Sequence, residues 1–487
     1  MPEVVIDPLT RIEGHLAIRI ELNESKTKIT NAWCHATMFR GFEAILCGRD
    51  PIDAQFLSTR ICGVCSIDHG IAASRCLEDA FGINPTPLGI ILRNLLQYSN
   101  WLYDHILHCF ILAGPDYGPP FGKMEEFVPF SGEGYLQALK MLKIAAEASA
   151  LFAGKLPHGA AIIPTGVTVS LNTKSIAEYI YRIKKLKSWI DEYMIPLFDK
   201  FYEMYKGELE EVGKREANLI AYGTFEDLSL DPKKRAFKPG VIVDGKLVTN
   251  DLYGEIEPHI VEHVSHSWYT DDSGGKPSEE KPPTPMFTGF EKNKKYSYSK
   301  APRWKNYVME TGPLARMWST ALQSGGRVVT DAGEWKPPEN PDTVERIYAR
   351  AYETAYVATK IMEEANKLLE LINKGEENVC GTWKTPSESQ GKGLVEAARG
   401  ALGHWITIKD GRIERYQVIT PTTWNASPRD SNGRRGAIEE ALTESLCEEN
   451  PELTVVRIVR AFDPCLACTV HAYRADGKKK LFDVRVY

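Results

Sequence analysis

The chain has 487 residues and a net charge of −6, with an apolar fraction and aromatic content ordinary for a globular protein. It is long enough to bury a sizeable core, and its mildly acidic balance excludes a polybasic nucleic-acid binder or membrane-surface patch. The best apolar stretch, LGIILRNLLQ, carries Arg93 and is too short to span a bilayer.

The N-terminus, MPEVVIDPLT, has no basic region followed by an apolar run, so no signal peptide is expected on it. A partner chain could carry an export signal instead. In HLAIRIELN, Leu16, Ile18, Ile20 and Leu22 alternate with other residues, which predicts a strand. Thr86 and Pro87 make a cap and first-turn pair. Leu88, Leu92, Leu95, Leu96, Ser99 and Leu102 then follow a helical stripe. Ser175 and Glu178 have the spacing of a capping box, ahead of Ile176, Ile180, Ile183 and Ile190 on one face. VIVDGKLVT reads as a hairpin around an Asp-Gly turn. Residues 271–302, rich in Pro, Lys and Gly, read as a long surface excursion and not a domain boundary. Asp342 opens the longest helix, through Val344, Ile347, Ala351 and Leu368 to a stop near Gly375. WITIKDGRIERYQVIT is a second Asp-Gly hairpin. The fold class expected is α+β, mostly helical, with small antiparallel sheets.

Ten cysteines at this density in a large chain do not suggest a disulfide framework. Six stand singly (Cys34, Cys47, Cys76, Cys109, Cys380 and Cys447) and read as small buried apolar residues. The other four form two C-x-x-C pairs. Cys62 and Cys65 lie in RICGVCSIDHG, with His69 four residues on; Cys465 and Cys468 lie near the C-terminus, followed by His471. Two such pairs can give four soft thiolates to one metal site. Small zinc modules keep their pairs about 12–20 residues apart, whereas these stand at opposite ends of the chain. The chemistry leaves structural zinc and a catalytic soft-metal site both open. A ferredoxin-like cluster fits less well, because its cysteines group locally.

The flanks carry further motifs: DPLTRIEGH with Glu13, MFRGFEAILCGRDP with Glu43, METGPLARM, EAARGALGHW with Arg399, and YQVITPTTWNASPRD. With R-x-C-G-x-C and D-P-C-x-x-C-x-x-H in the same order, these resemble the large, catalytic subunit of nickel–iron hydrogenases, from Asp7 to the end of the chain. The resemblance is close to the periplasmic uptake type, including relatives with selenocysteine where Cys465 stands here. It implies a central long-helix bundle in a single unit over 1–471. It also implies reversible heterolytic cleavage of dihydrogen, with electrons passed to an iron–sulfur small subunit.

By motif position, Cys62 and Cys465 would be terminal nickel ligands, and Cys65 and Cys468 would bridge to an iron carrying carbon monoxide and cyanide. Glu13 matches a carboxylate that relays the proton from the Cys465 sulfur. Arg399 matches a guanidinium over the open metal face, with Asp104 and Asp463 as its acidic neighbours. Thr422 matches a hydroxyl that bonds a cyanide, and His69 packs near a bridging thiolate. A second cation, magnesium or iron, would take Glu43, His471 and the carbonyl of Val418. Val64 and Leu112 match positions that narrow a gas tunnel, while His105 and His108 read as core histidines.

The chain departs from the family in having Ala398 where a proline usually precedes the arginine, a change expected to loosen Arg399. Cys109 and Ile111 stand where relatives often have aromatic and histidine residues. Residues 472–487 resemble a peptide that a maturation endopeptidase removes once insertion factors have loaded nickel; a permanent hairpin is the alternative, given Asp476-Gly477. The resemblance implies a periplasmic site reached with a signal-bearing partner, with the cytoplasm as alternative. A hydrogen sensor of the same fold and a four-cysteine zinc protein are the rival functions.

Overall fold

The structure, a computed structural model, describes residues 2–447 and 450–469, with 468 and 469 as backbone only. The N-terminal alternation becomes a three-stranded antiparallel meander of β1 (Glu3–Ile6), β2 (Leu16–Leu22) and β3 (Ile29–Ala36). On β2, Leu16, Ile18, Ile20 and Leu22 are buried, while Arg19 and Glu21 stay partly exposed.

Next come the short α1 (Phe42–Leu46), then α2 (Ser66–Phe81) and α3 (Pro87–Ile106). The start of α3 is the one its sequence predicts: the Thr86 hydroxyl accepts the Gly89 N–H at 3.0 Å, with Pro87 in the first turn. Its leucine stripe packs against α4 (Glu133–Ala153) and α7 (Thr343–Asn373). The opposite face is not solvated. Arg93, Asn94, Gln97, Asn100 and Asp104 are buried as well.

The capping expectation for α5 (Thr173–Trp189) needs correction. Asn172 is the cap, its side-chain oxygen accepting the Ser175 N–H at 2.9 Å, and Ser175 is the third helical residue that closes the box. Asn172 has the carbonyl needed for that bond, so the helix starts earlier and Glu178 is left to face Arg182 on the surface. Helix α5 packs on α4 and α7 and completes the bundle; α6 (Pro313–Leu322) lies against α7 at its site end. The Asp342 side chain caps α7, accepting the Glu345 N–H at 2.8 Å, and the left-handed Gly375 follows its end, both as predicted.

Both Asp-Gly hairpins form. β4 (Gly240–Val243) and β5 (Lys246–Thr249) turn through Asp244 and Gly245. β6 (Ser389–Ala397), β7 (Gly400–Lys409) and β8 (Arg412–Ile419) make a second antiparallel meander, with Asp410 and Gly411 between β7 and β8. Helix α2 lies on β6 and β7. The 271–302 excursion is only partly on the surface. Tyr296, Ser297, Ser299 and Lys300 are buried, and Lys300 pairs with buried Glu280 and Glu262. A lysine left in the core without those acids would be too costly to charge.

Of the single cysteines, Cys34, Cys76 and Cys109 are buried, whereas Cys47, Cys380 and Cys447 are only half-buried. The last three lie outside the helices and strands, where the chain runs near the surface. Among the described residues, no helix is long and apolar enough to cross a membrane.

Candidate active site

Cys62 and Cys65 occupy the turn that leads into α2, whose first residue is Ser66. The Cys62 sulfur accepts the backbone N–H groups of Val64 and Cys65 at 3.2 and 3.3 Å. That fold of the Gly63–Val64 spacer turns both sulfurs to one side. The late segment arrives from the other end of the chain by pairing with the N-terminal motif. Glu13 and Cys465 form a parallel bridge, in which Leu466 N–H donates to the Glu13 carbonyl at 2.8 Å. Gly14 is needed there: its φ is +80°, and a Cβ would sit 2.6 Å from the Ala467 nitrogen. Arg40 holds the two arrivals together, donating to the carbonyls of Arg60 (2.9 Å), Ile61 (2.6 Å) and Ala467 (3.4 Å).

The result is a buried group of three sulfurs, Cys62, Cys65 and Cys465, all within 4.8 Å of one another. Cys62 and Cys465 approach to 3.3 Å without a disulfide. Ionised thiolates this close in a dry pocket repel strongly unless a cation lies among them. The donor set therefore fits a soft metal. The side chain of Cys468, His471 and the 472–487 tail lie outside the described residues.

Glu13 touches the Cys465 sulfur directly. Its Oε2 accepts the Cys465 thiol at 3.1 Å and the Ala467 N–H at 3.0 Å. Burial, reinforced by Cys62, raises its carboxyl above the usual range. Thr422 sits in a short helix, Pro421–Asn425, after β8, and its hydroxyl oxygen accepts the Cys465 N–H at 2.8 Å. Arg399 is buried between two acids, donating from Nη1 to Asp104 at 2.8 Å and from Nη2 to Asp463 at 3.1 Å. Its positive charge acts on Cys465 and Cys65 as well. Burial pushes Asp104 up to about 6. Burial would push Asp463 up too, but Arg399, His108 and Arg350, the last 3.1 Å away, hold it low. The Arg399 Nε has no hydrogen-bond partner among the described residues, and neither has the Asp104 Oδ1. Such orphaned groups fit a site completed by something other than protein.

His69 follows Cys65 by one turn, its N–H donating to the Cys65 carbonyl at 3.3 Å. His69 is buried on α2, its Nδ1 3.1 Å from the His404 Nε2, and His404 in turn meets the Tyr416 hydroxyl at 2.7 Å. Glu43 on α1 is buried, and burial pushes it up to about 7 against the pull of Lys300. Val418 is buried on β8 opposite His404. His105 accepts from Arg350 at 3.0 Å, and His108 donates to the Arg460 carbonyl at 2.6 Å, as core histidines do. Val64 and Leu112 are half-buried. Cys109 is buried, which pushes its thiol up to about 12.

A model of the nickel-dependent hydrogenase family matches residues 40–120 and 130–471, and a HoxL-like model matches residues 3–39. The periplasmic [NiFeSe] hydrogenase large subunit of Desulfomicrobium baculatum is 35% identical, over 97% of this chain and 96% of that one. The actinobacterial-type NiFe-hydrogenase of Ralstonia eutropha H16 superposes with a TM-score of 0.91 at 28% identity, over 96% of this chain and 100% of that one. The Ni-Fe-Se hydrogenase of D. vulgaris Hildenborough gives 0.85 at 32% identity, with the same coverage. The chain belongs to the nickel-dependent hydrogenase family, as a large subunit.

In this hydrogenase chain, Ala398 is hydrogen-bonded on both sides. Its N–H donates to Asp68 at 3.3 Å, and its carbonyl accepts from Arg316 at 2.7 Å. Asp68, Arg316, His404 and Arg40 all lie inside the motifs quoted above, yet the motifs alone give them no role. The available signal was a charge or polar group inside an otherwise apolar helix or strand, such as Asp68 within SIDHGIAA.

Proposed function

We propose that Cys62, Cys65, Cys465 and Cys468 hold a nickel–iron centre, and that Glu13 and Arg399 serve the cleavage of dihydrogen there. The observation that carries this reading is the convergence of early and late sulfurs in one buried group beside a carboxyl. A nickel–iron centre with carbon monoxide and cyanide on iron supplies the Lewis acidity that polarises dihydrogen. The Cys465 sulfur holds a proton, and Glu13, already bonded to it, takes that proton onward. Burial favours the neutral form of Glu13, so the carboxyl accepts a proton readily. Arg399, fixed by Asp104 and Asp463, keeps a cation beside the sulfurs without a side chain to move. Thr422 sets the position of Cys465 through its backbone.

The electrons need a carrier. The described residues hold no second group of three metal-ligating side chains, so an iron–sulfur small subunit is the fitting partner. Glu43 and the Val418 carbonyl would take magnesium together with His471. A maturation endopeptidase would remove residues 472–487 after nickel-insertion factors have acted. A periplasmic location, reached with the small subunit, fits the named D. baculatum relative.

The test is the heterodimer carrying Glu13→Gln. Nickel and iron should remain at wild-type content, with infrared bands from bound carbon monoxide and cyanide. Hydrogen–deuterium exchange should fall by roughly 10²–10⁴-fold. Zinc in place of nickel, or normal exchange in the variant, would overturn the reading.

A further inference from the structure

The turn that carries Arg399 differs from both Asp-Gly hairpins of the molecule and shares its form with the Asp331–Ala332 turn. Ala397 on β6 pairs with Gly400 on β7, so Ala398 and Arg399 form a two-residue hairpin loop. Two-residue loops favour turns with positive φ at one or both central residues, because that twist matches the strands. The Asp244–Gly245 and Asp410–Gly411 turns obey this, with φ of 49° and 74°, and of 51° and 69°. Neither Ala398 nor Arg399 takes a positive φ. The strain passes to Gly400, at φ +134°, where a Cβ would lie 2.5 Å from the Thr311 hydroxyl. The Asp331–Ala332 turn, with Gly333 at φ +147°, is held locally by the Thr330 hydroxyl, which accepts the Ala332 N–H at 3.2 Å; Ala397 has no such group, so the Arg399 turn takes its support from outside.

The support is a closed, buried network. Arg316 on α6 donates to the carbonyls of Ala397 and Ala398 at 2.8 and 2.7 Å. It is neutralised by Glu353 (2.7 and 2.9 Å) and Glu396 (2.8 Å), all three side chains being fully buried. Asp68 takes the N–H side. Its Oδ2 accepts the Ala398 N–H at 3.3 Å, while its Oδ1 accepts from Gln97 at 2.9 Å and Trp101 at 3.0 Å. Asp68 lies in the first turn of α2, which begins directly after Cys65.

The geometry points to Asp68 as a positioning residue for Arg399: its carboxylate ties the Ala398–Arg399 turn to the start of the helix that follows Cys62 and Cys65. Asp104 and Asp463 hold the guanidinium itself, and Asp68, a side chain of the cysteine motif, links the backbone that carries it to the metal ligands. Arg316 fixes the turn against the bundle, and Asp68 fixes it against the metal ligands. This rests on the reading of Arg399 as the cation facing the metals.

Asp68→Asn separates this role from plain packing. The amide oxygen can still accept from Gln97 and Trp101, but its NH2 then meets the Ala398 N–H, donor against donor. In the purified heterodimer we expect wild-type nickel content, shifted or split carbon monoxide and cyanide infrared bands, and turnover lower by roughly 10–100-fold with KM unchanged. Ala398→Pro supplies the complement. Proline removes the N–H and fixes a negative φ, which suits the first position of such a turn. It should harm the chain that keeps Asp68, whose carboxylate loses its donor and meets the ring. It should restore both bands and turnover in Asp68→Ala.

Wild-type bands in Asp68→Asn, or an Asp68→Ala defect that Ala398→Pro does not reduce, would overturn the proposal. Arg399→Lys keeps the two readings apart. Full turnover in that variant would remove Arg399 from the chemistry, whereas the band positions would still report whether Asp68 sets the turn.

Discussion

Helices α3 and α5 have the same kind of sequence signature, an apolar stripe behind a capping signal, yet they end in different places. Helix α5 behaves as an amphipathic surface helix. Ile176, Ile183 and Ile190 are buried, and Lys174, Glu178 and Arg182 exchange weak pairs at its surface. Helix α3 is buried on every side. Its polar residues are each matched: Arg93 to Glu78, Asn94 to Glu364, Gln97 to Asp68, Asn100 to the Val64 carbonyl, and Asp104 to Arg399. Three of these partners lie in or beside the site. The comparison teaches that polar residues on a wholly buried helix mark the direction of the chemistry, because burying them is tolerable only where partners wait.

The comparison can be broken most forcefully at Arg93. Arg93→Met takes one of two cations from the buried Glu78, leaving Arg75 at 2.8 Å, and should cost about 3 kcal/mol of stability; a loss below about 1 kcal/mol in chemical denaturation would show that the polar face of α3 is not held by paired charge. The apolar face answers to a different mechanism. Leu95→Ala should cost about 3 kcal/mol through lost burial and a cavity, and the loss should not change with salt or pH.

A pH titration sharpens the same contrast just beyond the end of α3. Burial, with Arg350 nearby, lowers His108 to about 4, against an ordinary value of 6.5. The folded chain thus binds fewer protons than the unfolded one in that window. The stability from neutral His108 is complete above pH 6.5 and is lost as pH falls through about 4, up to about 3 kcal/mol. The gap between the unfolding midpoints of wild type and His108→Gln should widen as pH rises from about 4 to 6.5 and stay constant beyond; a constant gap across that window would contradict the assignment. The smallest effect belongs to α5. Arg182→Met removes an exposed pair with Glu147 and Glu178 and should change stability by less than about 1 kcal/mol. A larger loss would erase the distinction between the two helices.

Much of the fold is local and was therefore legible. The Thr86–Pro87 start of α3, the Asp342 cap of α7 and both Asp-Gly hairpins follow from backbone preferences of a few adjacent residues. The Asn172 cap was missed because Asn172 and Ser175 are both good caps, and only the carbonyl that reaches the right N–H decides between them. In the site, the two cysteine pairs and Glu13 stood out because metal ligation and proton transfer demand particular residue types. Asp68 and Arg316 did not, since an acid or an arginine has no spacing rule when its partner is a distant backbone.

The sequence by itself determined which atoms could bind a soft metal, where α3, α7 and both Asp-Gly hairpins begin, and which family the motifs belong to. Only the tertiary structure decided that Cys62 and Cys465 meet at 3.3 Å, that Glu13 bonds the late sulfur, and that Arg399 rides on a turn held from both sides. The physical reason is range. Capping and turn chemistry act over a few bonds and are written in neighbouring residues. The distance between a thiol and a guanidinium from opposite ends of a chain is a property of the packed core that carries them.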